Sequence, residues 1–231
     1  MVAKVKPAAD RLHRRLPEEN GQANVVKLVI PKVVVKVLEV EIRGTSTLII
    51  RAWDQKTAQM LADKQEGKRA VKSRENKSKE EIFNGARYIA EDGWDGIPAG
   101  AFRAAMINAV SCANIPRNEF NMTQAKMAIF IIPDGIDKVS KRDLVRIYGK
   151  PEIYSVMQPT SGGGPYMSHR PMYRNWSCKL RIKFNAGKID EQGCLNLLTL
   201  AGAFVGVGEH RPSSPESKTG SNGLFEIIPN R

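Results

Sequence analysis

The seven residues from Cys178 to Phe184 (CKLRIKF) constrain the fold more than any other stretch, because Leu180, Ile182 and Phe184 alternate with Lys179, Arg181 and Lys183. A period of two marks a strand with one face buried and the other in water. Here the wet face is a row of cations. Asp190 then stands as a helix N-cap, ahead of a helix predicted from Glu191 to about Ala203 with Leu195, Leu198 and Ala201 on its apolar side. Gly202, Gly206 and Gly208 open a long loop holding His210, Arg211 and Lys218, and Leu224 to Ile228 reads as a closing strand. A strand, a helix and a second strand form a β–α–β unit.

The rest of the chain repeats these elements. Val33 to Ile50 (VVVKVLEVEIRGTSTLII) sets Val35, Val37, Val40 and Ile42 against Lys36, Glu39, Glu41 and Arg43, a half-buried strand interrupted at Gly44 by a bulge or turn. Asp54 is placed to cap a helix from Gln55 to Lys64. A short aromatic strand is expected near Ala86 to Ala90, followed by a turn at Asp92-Gly93. Ala99 to Cys112 carries strong helix formers, with Phe102, Met106, Ala109 and Val110 at helical spacing. Further strands are expected at Ala128 to Ile132 and Leu144 to Tyr148, with a turn at Asp134-Gly135 between them. Three successive glycines make residues 158–176 (QPTSGGGPYMSHRPMYRNW) read as a loop. The pattern predicts an α+β protein, a ferredoxin-like or RRM-like sandwich with extended basic loops. A flexible basic arm (1–24) precedes a single domain (25–231) with insertions at about 64–81 and 158–176.

Charge narrows the function. The 231 residues are enough to bury a core, and 36 lysines and arginines against 24 aspartates and glutamates leave a formal net charge of +12. Such an excess favours phosphate backbones, because each cation releases a condensed counterion. Residues 64–81 are an exposed run in which Lys68, Arg69 and Lys72 are candidate phosphate contacts; a merely solvated face is the plain alternative. In 158–176, His169, Arg170 and Arg174 interleave with Tyr166, Tyr173 and Trp176, a mixture suited to stacking bases and neutralising phosphates, or to packing the loop itself. Arg43 and Arg51, beside the first strand, join the predicted contact set. So do Gly206, Gly208, His210, Arg211 and Lys218, since a glycine-rich loop lets backbone N–H groups approach phosphate. The loop lacks the ending of a Walker A motif, and its glycines do not spell a dinucleotide fingerprint.

Other classes recede. Cys112, Cys178 and Cys194 are scattered and odd in number, and His13, His169 and His210 are equally dispersed, so neither a disulfide framework nor a zinc site is expected. No apolar run is long enough to span a membrane, and the basic N-terminus lacks the apolar core of a secretory signal. A cytoplasmic protein without cofactor or metal is expected.

Three segments together resemble the RAMP superfamily, the RRM-like backbone and processing subunits of CRISPR effector complexes. They are VEIRGTSTLIIRAWD, GIPAGAFRAAMINAV and GVGEHRP with the later TGSNGLFEI. The order spans roughly residues 33 to 228, and the whole is also similar to a group of phage and prophage proteins. The resemblance implies RNA binding, often by several copies along one RNA that can be a guide. It points to Arg103 in the helix after Pro98, and to Gly206, Gly208, His210 and Arg211. It allows Gly162 to Gly164 to correspond to a protruding hairpin, and the Ser-Pro insert from Pro212 to Ser217 departs from the tighter family loop. The expected function is a non-catalytic, multi-copy RNA-coating subunit of a ribonucleoprotein complex. The alternatives are a ribonuclease of the same fold using His210, Asp134 or Asp137, and a phage single-stranded DNA-binding or structural protein.

Overall fold

The computed structural model describes residues 32–52, 62–63, 65–67, 78–159, 165–215 and 217–229. The expected N-terminal arm, the helix expected after Asp54 apart from its last residues, most of the basic run at 68–77 and the glycine triplet at 162–164 lie outside these residues. In chain order the elements are β1 (Val35–Gly44), β2 (Leu48–Ile49), α1 (Lys79–Gly85), β3 (Tyr88–Ile89), β4 (Asp95–Pro98), α2 (Ala99–Ala109), α3 (Met122–Ala128) and β5 (Ile129–Ile132). There follow β6 (Gly135–Ile136), β7 (Asp143–Arg146), β8 (Tyr148–Gly149), β9 (Glu152–Pro159), β10 (Pro165–Tyr173), β11 (Trp176–Asn185), α4 (Glu191–Leu200) and β12 (Phe225–Ile227).

The alternation of CKLRIKF becomes the central strand. β11 buries Cys178, Leu180, Ile182 and Phe184 and turns Lys179 and Lys183 to solvent. It pairs antiparallel with β1 from Val35↔Asn185 to Arg43↔Ser177. β12 joins the far side of β1, and β5 the far side of β11, giving the order β12-β1-β11-β5 with every pairing antiparallel. The β11–α4–β12 unit is therefore a split one, with β1 inserted between its strands. Two smaller antiparallel sheets, β2-β10-β9 and β3-β4-β7-β6, complete a mixed α/β protein.

Register corrects one feature of the alternation read in β1. Even-numbered residues face the core, so Leu38, Val40 and Ile42 lie opposite Ile182, Leu180 and Cys178. Val35 and Val37 belong to the odd face and are exposed. A strand has two faces only, and the four valines and isoleucines expected on one of them are divided between both.

The helices pack on the even face. α2 buries Phe102, Ala105, Met106 and Ala109, a stripe spaced three and four residues apart. The Phe225 ring meets Phe102 edge-on at 5.9 Å and Trp176 at 6.3 Å. Asp190 caps α4 as expected, accepting from the Gly193 N–H at 2.8 Å. The helix continues into a π-helical turn, Ala201–Val205. Two short helices had not been expected. α1 starts at a capping box in which Ser78 and Glu81 exchange bonds, and α3 at one formed by Asn121 and Gln124.

The largest correction concerns 158–176. Residues 165–173 are not a loop but the strand β10, paired with β9 from Pro165↔Pro159 to Met172↔Glu152. Residues 165–172 thus run back antiparallel along β9. Cysteines divide as well: Cys178 and Cys194 are buried, whereas Cys112 is exposed. Burial pushes the Cys194 thiol up to about 12. One thiol per folded chain is therefore expected to react with a disulfide reagent near pH 8, and three after denaturation.

Gly44 shows what the strand interruption is for. A Cβ there would lie 2.1 Å from Nε1 of Trp176, whose indole N–H donates to the Ser46 carbonyl at 2.9 Å. Gly44→Ala should cost about 1–3 kcal/mol through overpacking. Gly100→Ala, on the exposed side of α2 with open space around it, should add about 0.5–1 kcal/mol of helix stability. Thermal unfolding of the two variants checks this, and equal melting temperatures would refute it.

Candidate nucleic-acid interface

A cavity of about 390 Å³ opens between α2 and the glycine-rich loop. Its floor is apolar, from Ile50, Ile97, Ala105 and Val207, and its rim carries Arg51, Asn108, Glu209 and Arg211. Three chain segments meet there: the end of β2, the β4–α2 junction and residues 205–213.

The loop keeps its shape through its own backbone. Gly206 and Gly208 have φ of 70° and 80°, a region that favours glycine. The space where the Gly208 Cβ would stand is occupied by the Ile49 carbonyl oxygen at 2.5 Å. The amides of Gly206, Val207 and Glu209 donate to the carbonyls of Ala201, Gly223 and Ile49. The glycines thus serve close packing against β2 and residues 222–223, and these three amides are already engaged rather than held out for phosphate. Arg211 locks the loop from the side, donating to the Gly208 carbonyl at 2.9 Å and to Ser213 Oγ at 3.0 Å. His210 is exposed with φ of 55°, and its carbonyl accepts from the Asn222 N–H, closing the loop.

Arg170 supports this rim from beneath. Its side chain is 2% exposed and its Nη1 lies 2.5 Å from Glu209 Oε1. Burial lowers the guanidinium pKa, Glu209 raises it, and nearby Arg51 lowers it further. Arg51, Arg170 and Arg211 against Glu209 give this region an excess of positive charge.

The remaining predicted contacts are dispersed. Tyr173 and Trp176 are buried in the core and Arg170 beneath the rim, so the stacking surface expected of 165–176 is not assembled on these side chains. Desolvation pushes the Tyr173 hydroxyl pKa up. His169 is held by Ser155, Nδ1 to Oγ 2.8 Å across the hairpin, and exposed Arg174 pairs with Glu152 at 3.0 Å. Arg103 points away from the cavity. It donates to the carbonyls of Ile129 and Lys126 and stacks on the Phe130 ring at 4.5 Å, clamping α2 to β5. Arg43 is exposed on the open face of the large sheet and pairs with Glu226. Lys218 is exposed on the loop. Lys68, Arg69 and Lys72 lie outside the described residues.

The open sheet face is not uniformly basic. Glu39 and Glu41 of β1 stand opposite Arg181 and Lys179 of β11, and Asp134 pairs with Arg181 at 3.2 Å. Asp137 is 3% exposed and accepts from the Ile89 N–H, the Ser140 N–H and the Ser140 hydroxyl, which makes it a turn anchor. Residues missed from sequence are Asn108 and Glu209 on the cavity rim, and the surface group Trp94, Arg146 and Tyr148. In that group the Arg146 guanidinium lies 5.9 Å from the first ring and 5.2 Å from the second. No sequence period relates them, because β4, β7 and β8 bring them together.

No known family matches the chain, and no curated protein matches its sequence. Among solved structures, the chain superposes on Cmr6 from Pyrococcus furiosus at 9% identity, covering 85% of this chain and 100% of that one, with a TM-score of 0.38. A likeness of that size assigns neither fold nor function. Among the described residues no helix is long and apolar enough to cross a membrane.

Arg170→Met is expected to strand Glu209 and cost about 2–3 kcal/mol, less than for a fully buried pair because Glu209 is 26% exposed. Arg170→Met with Glu209→Gln should recover at least half of the lost melting temperature. Two single variants and a double that all melt with the wild type would remove the pair from the structural account.

Proposed function

We propose that this protein is a RAMP-type RNA-binding subunit built on a ferredoxin-like, RRM-like sandwich, which holds a single RNA strand at the cavity walled by Arg51 and Arg211. The observation that carries this reading is convergence. Residues 40–54, 96–110 and 206–227, the three segments that resemble that superfamily, are far apart in sequence, yet all three contribute to the wall of one cavity. The strand order β12-β1-β11-β5, with α2 and α4 as the two crossovers, supports the sandwich assignment. An apolar floor beside guanidinium groups suits a base against the floor and its phosphate at the rim.

In this reading the chain binds RNA without cutting it, and several copies coat one strand within a ribonucleoprotein complex in the cytoplasm. The non-catalytic reading is supported by the engagement of Asp137 as a turn anchor and of Asp134 with Arg181 and the Arg146 N–H. A phage or prophage origin would be compatible with the same architecture.

Affinity for a single-stranded RNA, measured by fluorescence anisotropy from 50 to 300 mM salt, should fall steeply. Arg51→Ala should flatten the log–log slope by about 0.7, the share of one single-strand phosphate contact. Salt-independent binding would contradict the phosphate-driven account, and preference for DNA of the same sequence would favour the single-stranded DNA reading. On a long RNA, more than one copy per strand is expected; strictly one-to-one binding would remove the coating role. The RNA should be recovered uncut, and cleavage that disappears in His210→Ala would replace this reading with that of a ribonuclease.

A further inference from the structure

On the solvent-facing side of the large sheet, Glu41 stands directly opposite Lys179, and Glu39 opposite Arg181. Opposite charges in register across an antiparallel pair ordinarily attract one another into contact. These do not close. Among the described residues neither Glu39, Glu41 nor Lys179 has an ion-pair partner, while Arg181 turns aside to the Pro133 carbonyl at 2.6 Å and to Asp134. These charges line a cavity of about 380 Å³, walled by Glu39, Glu41, Asp134, Tyr148, Lys179 and Arg181.

One wall is aromatic and fixed. Tyr148 pairs with Ser177 at the margin of β11 and remains 43% exposed. The Arg146 guanidinium lies over its ring and over that of Trp94. The Trp94 ring is itself seated over Gly135, where a Cβ would stand 2.7 Å from the indole. A planar ligand entering the cavity therefore finds a ring whose position is already set by a cation–π ladder.

The polar walls choose among ligands. A phosphate would meet three carboxylates, which offer it acceptor oxygens and share its charge. A neutral planar group with donors on one part of its edge and an acceptor beside them fits instead. Among nucleobases guanine presents that edge: N1–H and N2–H are adjacent donors for a carboxylate, and O6 is an acceptor for an ammonium or guanidinium. Uracil offers one edge donor between two acceptors. Adenine and cytosine each place a single amino group beside a ring acceptor.

We propose that this cavity is a guanine-binding subsite, in which Glu41 receives the N1–H and N2–H groups, Lys179 donates to O6 and Tyr148 stacks on the ring. The inference rests on the RNA-binding reading above and adds base selectivity to it, at a surface distinct from the cavity beside the glycine-rich loop. The same chemistry would admit a free guanine nucleotide, and the test separates the two sources.

The experiment is anisotropy with the full chain on a labelled ten-nucleotide oligouridine, and on the same oligomer with one central guanine, adenine or cytosine. Guanine should tighten binding about tenfold over uridine, the scale of one bidentate base contact, and adenine and cytosine by far less. Glu41→Gln should bring the guanine-to-uridine ratio to about one at an unchanged melting temperature, and Tyr148→Ala should reduce it. Equal affinity for all four oligomers would overturn the subsite and leave the RNA-binding reading standing. No binding to any oligomer, with no response to GMP, would overturn both. Saturable binding of GMP that Glu41→Gln abolishes, without any oligomer binding, would assign the guanine site to a free nucleotide and reject RNA as its source.

Discussion

The structure depends on the pairing of β1 with β11. These strands are about 140 residues apart in the chain and match over nine consecutive positions. Every other part of the large sheet is attached to one of them: β12 to β1, and β5 and β8 to β11. Their shared buried face, Val40, Ile42, Cys178, Leu180 and Ile182, is the floor on which α2 and α4 pack. A contact of such sequence separation has a high closure entropy, so it forms only when the buried apolar face is completed along with it. The cluster of Phe102, Trp176 and Phe225 completes it, bringing the central helix, β11 and the last strand onto one another. Gly44 leaves the room that this cluster needs.

The same pairing determines where charge can act. The described residues carry 22 lysines and arginines against 18 aspartates and glutamates, so they hold only +4 of the formal +12. Within them, several guanidinium groups are committed to the architecture. Arg87 grips Asp95 with two bonds of 2.9 Å, and this contact raises its pKa; Arg103 caps carbonyls between α2, α3 and β5; Arg170 supports Glu209. An arginine is suited to such work because its planar fork bonds several oxygens at once while its stem packs. Among the cations left on the surface, Lys179 and Arg181 of β11 face the acidic residues Glu41 and Glu39 of β1. The arrangement favours discrimination among ligands over indiscriminate attraction, because like-charged and opposite-charged groups are presented together.

Two of the cavities among the described residues matter for binding. The first lies beside the helices, where the glycine-rich loop meets α2; the second lies on the open face between β1 and β11. The glycines of the loop belong to the first chiefly as structural necessities, since the chain's own carbonyls fill the space that side chains would take.

Local pattern was enough for much of the fold. The strand at 178–184, the Asp190 cap, the helix from Ala99 and the closing strand all follow from periods of two and 3.6 residues and from capping chemistry, which act between near neighbours. The capping boxes at Ser78–Glu81 and Asn121–Gln124 were equally local and equally present in the sequence, though not read there. What sequence could not supply was which face of a strand is buried, and what lies against it. Val35 and Val37 look like core residues until register places them on the open face, and Arg170, Tyr173 and Trp176 look like a binding loop until β10 and β11 form and carry their side chains inward. The guanidinium of Arg146 between Trp94 and Tyr148, and the unclosed charges of Glu41 and Lys179, exist only because distant strands meet. Short-range preferences are written into each segment by its own residues. Contacts between segments are selected by the free energy of the assembled core, and only the tertiary structure decides them.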